Sequence, residues 1–130
     1  MWSSDQRSRT LLLAAAGECL TTIGERNLRW QFVRRASAMA TQSGVPEFDE
    51  SAAHDAYSLR SCVAHGGVLP AKFLEECADE EAASERAQRA YWALEEVVRG
   101  VLRSAITLPK LRAALADDES LDVAFPVRKF

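Results

Sequence analysis

The chain has 130 residues, of which 48% are hydrophobic and 27% are charged, and this composition is typical of one globular domain with a single core. Its formal net charge of −3 argues against a protein that coats nucleic acid by overall positive charge. Residues 1–74 carry eight Lys/Arg against seven acids, whereas residues 75–130 carry eight against twelve. An anionic ligand is therefore expected to bind the first part of the chain.

The cysteines and apolar runs bear on the cellular setting. Cys19, Cys62 and Cys77 are odd in number and lack a Cys-x-x-Cys spacing, which favours a reducing cytoplasm over a disulfide framework or a cysteine metal site. The apolar run at 11–16 resembles a signal peptide, but Glu18 interrupts it, so we interpret it as part of a mature helix. No apolar run reaches the roughly 20 residues that span a bilayer. We therefore expect no membrane partner, no metal and no cofactor.

The spacing of apolar residues predicts an all-α fold, a bundle of four long helices plus one short C-terminal helix. The long helices are expected near residues 4–22, 25–41, 51–64 and 79–106, the last with an approach that begins near residue 72. The short helix is expected at 109–115, because Pro109 suits a first turn. Residues 117–130 show no period and are expected to form a tail on the bundle or on a partner. Residues 1–130 thus form a single helical domain.

The third predicted helix carries most of the candidate chemistry. Its apolar stripe consists of Ala52, Ala56, Leu59 and Val63. The opposite side carries a polar seam of His54, Tyr57, Ser58, Ser61 and His65. Arg60 lies between the two sides. Gly66-Gly67 is a typical helix C-terminus, because glycine readily adopts the left-handed conformation.

Arg60 and His65 do not share one face of this helix, because five residues separate them by about 140° around the axis. Ser61 and His65 do share a face. Two copies across a two-fold axis would bring two arginines and two histidines around one cleft. There an imidazole can carry a proton and a guanidinium can stabilise a pentavalent phosphorus, while Ser61 or Tyr57 orients the reacting groups. The usual explanation of a lone histidine near a helix C-terminus is a favourable interaction with the helix dipole or a satisfied surface residue.

Two further charged features remain open at this stage. Glu18 is the acid inside the apolar first helix, and it lies either at the rim of the core or beside a cationic partner. Arg26, Arg29, Arg34 and Arg35 fall within ten residues, and they are expected either to bind RNA phosphates or to form a solvated face with acidic neighbours.

The segment from Arg60 to His65 resembles the Arg-x-x-x-x-His signature of HEPN domains. Tyr57, Leu59, Ser61 and the Gly66-Gly67 pair make it similar to the ApeA-like HEPN branch. Glu18 near the end of an early apolar helix and the Arg35-Ala36 pair on the next helix extend the resemblance to roughly residues 7–106.

The resemblance implies a helical bundle that forms a homodimer through the motif helix and acts as a metal-independent endoribonuclease in toxin–antitoxin or antiviral defence. It matches Arg60 and His65 to the catalytic positions, with Ser61, Tyr57 and Glu18 in supporting roles. Many HEPN toxins have Asn, Asp or His where this chain has Ser61. The implied partners are RNA, a second copy and an antitoxin or sensor protein, and the chain is either a stand-alone member or the effector part of a larger protein.

Two other functions fit the same residues. The first is a non-catalytic HEPN module that binds a nucleotide or a partner protein through the polar seam. The second is a helical dimerisation domain without a ligand.

Overall fold

The computed structural model describes residues 4–66 and 69–127. In these residues there are seven helices and no strand, so the predicted all-α class is confirmed. The helices are α1 (Ser4–Thr21), α2 (Leu28–Gln42), α3 (Glu50–Ala64), α4 (Ala71–Glu76), α5 (Glu80–Thr107), α6 (Pro109–Ala114) and α7 (Asp118–Ala124). No helix of the described part is both long enough and apolar enough to cross a membrane.

Aspartate caps fix the starts of three helices. Asp49, Asp79 and Asp117 each precede a helix and accept a hydrogen bond from the backbone N–H three residues later, at 2.9, 2.8 and 2.7 Å. Such side chains satisfy amide groups that have no partner within the helix. The same interaction lowers the pKa of Asp117. The caps therefore determine where α3, α5 and α7 begin.

Helix α3 packs against α1, α2 and α5, and α5 also packs against α1, α2, α4 and α6. The buried side chains of α3 are Ala53, Ala56, Leu59 and Val63, close to the predicted apolar stripe. Leu59 and Val63 belong to a core cluster with Phe73 of α4 and the inner side of α5. The close approach of α1 to α2 depends on Gly17, since an added Cβ would lie 3.1 Å from Cε2 of Phe32.

The segment from residue 72 that was expected to lead into the long helix forms a separate helix, α4. The chain leaves helical geometry at Cys77 and starts again after the cap Asp79. Arg86 of α5 holds α4 and α3 together in what we call the Arg86 clamp. It donates to both carboxylate oxygens of Asp55 at 2.8 and 2.9 Å and to Glu76 at 3.0 Å, and its guanidinium lies 4.3 Å from the ring centroid of Phe73. Hydrogen bonding to Asp55 raises the pKa of Arg86 further.

The prediction of a tail without regular structure is wrong for residues 118–124, which form α7. Leu121 and the C-cap Phe125 are buried against the core, and two anchors four residues apart are too few to show a helical period in the sequence. The end of the predicted tail, residues 128–130, lies outside the described residues.

Arg35 attaches α7 to the rest of the bundle. Its side chain is 2% exposed and donates to the Phe125 carbonyl at 2.7 Å, the Thr21 carbonyl at 3.0 Å and the Asp122 carboxylate at 2.8 Å. Burial lowers the pKa of Arg35, and Asp122 partly opposes this shift. The guanidinium of Arg35 is therefore an interior group, and its surroundings give no support to the predicted contact with RNA.

Candidate functional site

An open depression of about 420 Å³ lies where the last turns of α3 meet the starts of α2 and α4. Its lining combines two cations, two hydroxyls, one thiol and one imidazole. The lining residues are Arg29, Ser58, Ser61, Cys62, His65, Pro70, Ala71 and Lys72. Four residues named in the sequence analysis thus share a surface: Arg29, Ser58, Ser61 and His65. Lys72 joins them, although the sequence did not single it out.

The α3 side of the depression follows from spacing along the helix. Ser58, Ser61 and His65 are three and four residues apart, and such residues lie on one helix face. His65 is the C-cap of α3, and its backbone N–H donates to the Ser61 carbonyl at 3.3 Å. Its side chain is exposed. Gly66 has φ 77° and so ends the helix in the left-handed conformation, as predicted, while Gly67 lies outside the described residues.

Helix α2 contributes a fixed cation to the site. The Arg29 guanidinium donates to the Ser58 hydroxyl at 3.3 Å and lies 4.7 Å from the ring centroid of Tyr57. Stacking on an aromatic face restricts a long side chain without neutralising it. The Tyr57 ring itself packs against Phe32 at 5.8 Å between centroids. Tyr57 therefore supports Arg29 from below and is absent from the lining of the depression.

Arg60 takes part in a different interaction. Its Nε lies 2.9 Å from Oε1 of Glu18, and its Nη2 donates to Oε2 at 3.4 Å. The Arg60 and Glu18 side chains are 34% and 22% exposed. Glu18 was expected either at the rim of the core or beside a cationic partner, and the structure places it beside Arg60. The ion pair joins α1 to α3, and Arg60 does not line the depression that contains His65.

The polar seam is interrupted at its first residue. The His54 ring meets Trp30 of α2 edge-on, with 5.6 Å between centroids. Burial, followed by the charges of Arg29 and Lys72, lowers the pKa of His54. Lys72 lies 3.9 Å from a carboxylate oxygen of Asp55, a loose pairing that leaves positive charge at the depression. His54 is thus a half-buried neighbour of the site, whereas His65 is exposed.

The four clustered arginines divide among three places, and Arg26 and Arg35 share one of them, a cavity near α7. Arg34 pairs with Glu50 at 3.1 Å and lies 5.5 Å from the Trp30 ring centroid. Arg26 lines a larger cavity of about 780 Å³ near α7. Asp118, Glu119 and Asp122 also line that cavity, so its charge is poorly suited to a polyanion. Only Arg29 of the cluster lines the depression, and sequence proximity alone does not reveal this division.

The depression has the chemistry of an anion site with one proton carrier. Arg29 and Lys72 attract a phosphate, and Ser58 and Ser61 supply hydrogen-bond donors. Burial raises the pKa of Cys62 despite the charge of Arg7, so this thiol stays protonated near neutral pH. Within residues 4–66 and 69–127, no group of three or more His, Cys, Asp or Glu side chains is arranged to hold a metal ion.

No family model, curated protein or solved structure matches this chain. A functional assignment therefore rests on the site itself and on the motif resemblance.

Proposed function

We propose that the chain is a HEPN-type endoribonuclease that binds an RNA phosphodiester in the depression and uses His65 for proton transfer. The observation that supports it best is the placement of an exposed imidazole beside Arg29 and Lys72 on one open surface. An open surface admits a nucleic acid strand, and the two cations favour its phosphate. A role as toxin or antiviral effector in the cytoplasm, with an antitoxin or sensor partner, follows from the resemblance and belongs to this proposal.

In the proposed reaction, a phosphate oxygen lies between Arg29 and Lys72, and the hydroxyls of Ser58 and Ser61 orient it. His65 takes the proton from the ribose 2′-hydroxyl while the 2′-oxygen forms a bond to phosphorus and the bond to the 5′-oxygen breaks. The leaving 5′-oxygen needs a proton from a second carrier. His65 of a second copy supplies it if the motif helices meet across a two-fold axis. The products are a 2′,3′-cyclic phosphate and a 5′-hydroxyl.

The Glu18–Arg60 pair provides a test of the motif arginine. Arg60 can bind a phosphate only after its ion pair with Glu18 breaks, so the Glu18 carboxylate competes with the phosphate for Arg60. If Arg60 stabilises the reacting phosphate, Glu18→Gln is expected to increase cleavage several-fold and Arg60→Ala to abolish it. If Arg60 only joins α1 to α3, both substitutions lower thermal stability and leave cleavage per folded molecule unchanged.

The proposal is tested by incubating the purified chain with mixed RNA in excess EDTA. Wild type is expected to leave cyclic phosphate ends, and His65→Ala is expected to be at least about 100-fold slower, as for a lost general base. His54→Ala is the matched control, because it removes the other imidazole of α3 outside the depression. Intact RNA with wild type, or equal rates for wild type and His65→Ala, would refute the proposal.

A second candidate, a module that binds a nucleotide without cleaving RNA, is favoured by one observation. Arg60 is engaged with Glu18 and does not line the depression. This alternative expects adenosine and guanosine nucleotides to bind with an affinity that falls in Lys72→Ala, while RNA stays intact with wild type. Calorimetric titration beside the cleavage assay separates the two functions.

A further inference from the structure

The long helix α5 carries a second ordered pattern on the side that faces away from the core. Five residues follow each other at spacings of three, four, three and four, which is the a/d period of a coiled coil. We call them the α5 seam: Trp92, Glu95, Arg99, Leu102 and Ile106. The buried stripe of α5, which includes Ala83, Leu94 and Val101, lies on the other side of the helix.

The apolar members of the α5 seam are unusually exposed. Trp92 is 59% exposed, Leu102 49% and Ile106 74%. Single exposed apolar residues are common on protein surfaces. Here three of them follow one stripe over 14 residues, a length of about 21 Å at the α-helical rise. A stripe of this kind is suited to another helix of the same period.

The charges at the centre of the α5 seam distinguish between the possible arrangements. Glu95 and Arg99 form an ion pair of 2.9 Å within the chain. A parallel second copy would place glutamate on glutamate and arginine on arginine. An antiparallel copy centred between them places Glu95 opposite Arg99 in both directions. The same centre places Trp92 opposite Leu102, so the charged layers and the two Trp–Leu layers match together, while Ile106 lies opposite Gln88 beyond them.

We propose that two copies of this chain associate antiparallel through the α5 seam. The centre is then a network of two Glu–Arg pairs flanked by two Trp–Leu layers, and the contact is isologous. This inference goes beyond the proposed function. Helix α3 packs on the inner side of α5, so the α5 seam does not bring the two His65 side chains together. Substitutions in the α5 seam leave the depression intact, so their effect on association is distinguishable from the effect of His65→Ala on RNA cleavage.

Charge exchange tests the proposal on the full chain. Wild type is expected to sediment at twice 14.3 kDa at micromolar concentrations. Glu95→Arg places two basic residues at the centre of the α5 seam, and Arg99→Glu places two acidic residues there. Because like charges then face each other across the contact, each variant alone is expected to lose at least tenfold in dimer affinity. An equimolar mixture is expected to regain the dimer mass. Glu25→Arg and Arg9→Glu make the same charge changes at exposed positions away from α5 and should behave as wild type.

The orientation is read from cross-linking. Oxidation of a mixture of Glu95→Cys and Arg99→Cys proteins is expected to join position 95 to position 99, as identified by peptide mass spectrometry. A wild type that stays monomeric at 100 µM, seam variants that match their controls, or a predominance of links between two copies of position 95 would each overturn the proposal. Circular dichroism of every variant confirms that the helices are intact.

Discussion

Replacement of Arg35 is expected to be among the most destabilising changes at a charged position. Arg35→Met keeps most of the aliphatic stem and removes the guanidinium. Four hydrogen bonds disappear, those to the carbonyls of Thr21 and Phe125 and to the side chains of Gln31 and Asp122. The loss therefore affects the ends of α1 and α7 together.

The magnitude follows from what the lost donors leave behind. The Asp122 side chain is 67% exposed, so water can replace its partner, and Gln31 keeps its bonds to Ile23 and Arg26. The carbonyls of Thr21 and Phe125 lose a buried donor, and each unsatisfied acceptor costs about 1–3 kcal/mol. Removal of a buried charge offsets part of this. The net loss is expected to be about 2–4 kcal/mol, or about 10 °C in Tm for a domain of this size.

Urea unfolding followed by circular dichroism measures the loss, with Arg26→Met as the exposed arginine control. The control is expected to change the free energy of unfolding by less than about 0.5 kcal/mol. Hydrogen exchange should show faster exchange in α7 of Arg35→Met before the other helices respond. An Arg35→Met protein as stable as Arg26→Met, with unchanged protection of α7, would refute this account of Arg35.

Three smaller changes test other parts of the fold. Gly66→Ala should lower the free energy of unfolding by about 1 kcal/mol, because alanine at φ 77° is strained. Gly66→Asn should lower it less in the same urea titration, and equal losses for the two variants would contradict this. Asp79→Ala should cost about 1 kcal/mol by loss of the α5 cap, and an unchanged urea midpoint would contradict the capping role. The lowered pKa of His54 means that the unfolded chain binds the proton more tightly, so His54 lowers stability as pH falls below its usual value of 6.5. His54→Gln should weaken the fall in Tm between pH 7.5 and 5.5, and an equal fall in both proteins would contradict this.

The long helices could be predicted from the sequence because local signals mark them. Apolar residues recur with the helical period, Asp79 and Pro109 mark starts, and Gly66 marks an end. The break before Asp79 could not be predicted, because acidic residues lie on both sides of it and carry no signal that separates one helix from the next. Helix α7 was missed because its stability comes from Leu121, Phe125 and the distant Arg35 rather than from its own periodicity.

The candidate site could be predicted only where it lies on one helix. The spacing of Ser61 and His65 on α3 was sufficient to place them together. Lys72 could not be found in this way, because it comes from another helix across a turn and no spacing rule connects the two. Arginine is usually exposed, so nothing in the sequence distinguished the buried Arg35 from Arg29 at the surface.

The Arg86 clamp has a consequence for ligand affinity. Helix α4 has six residues, and isolated helices shorter than about 12–15 residues are marginal in water. Contacts of Phe73 and Glu76 with Arg86 therefore hold α4, and with it Lys72, in the folded chain. The conformational entropy of that short segment is lost during folding, before an anion arrives. Binding at Lys72 then avoids the ordering cost that a mobile loop lysine would carry.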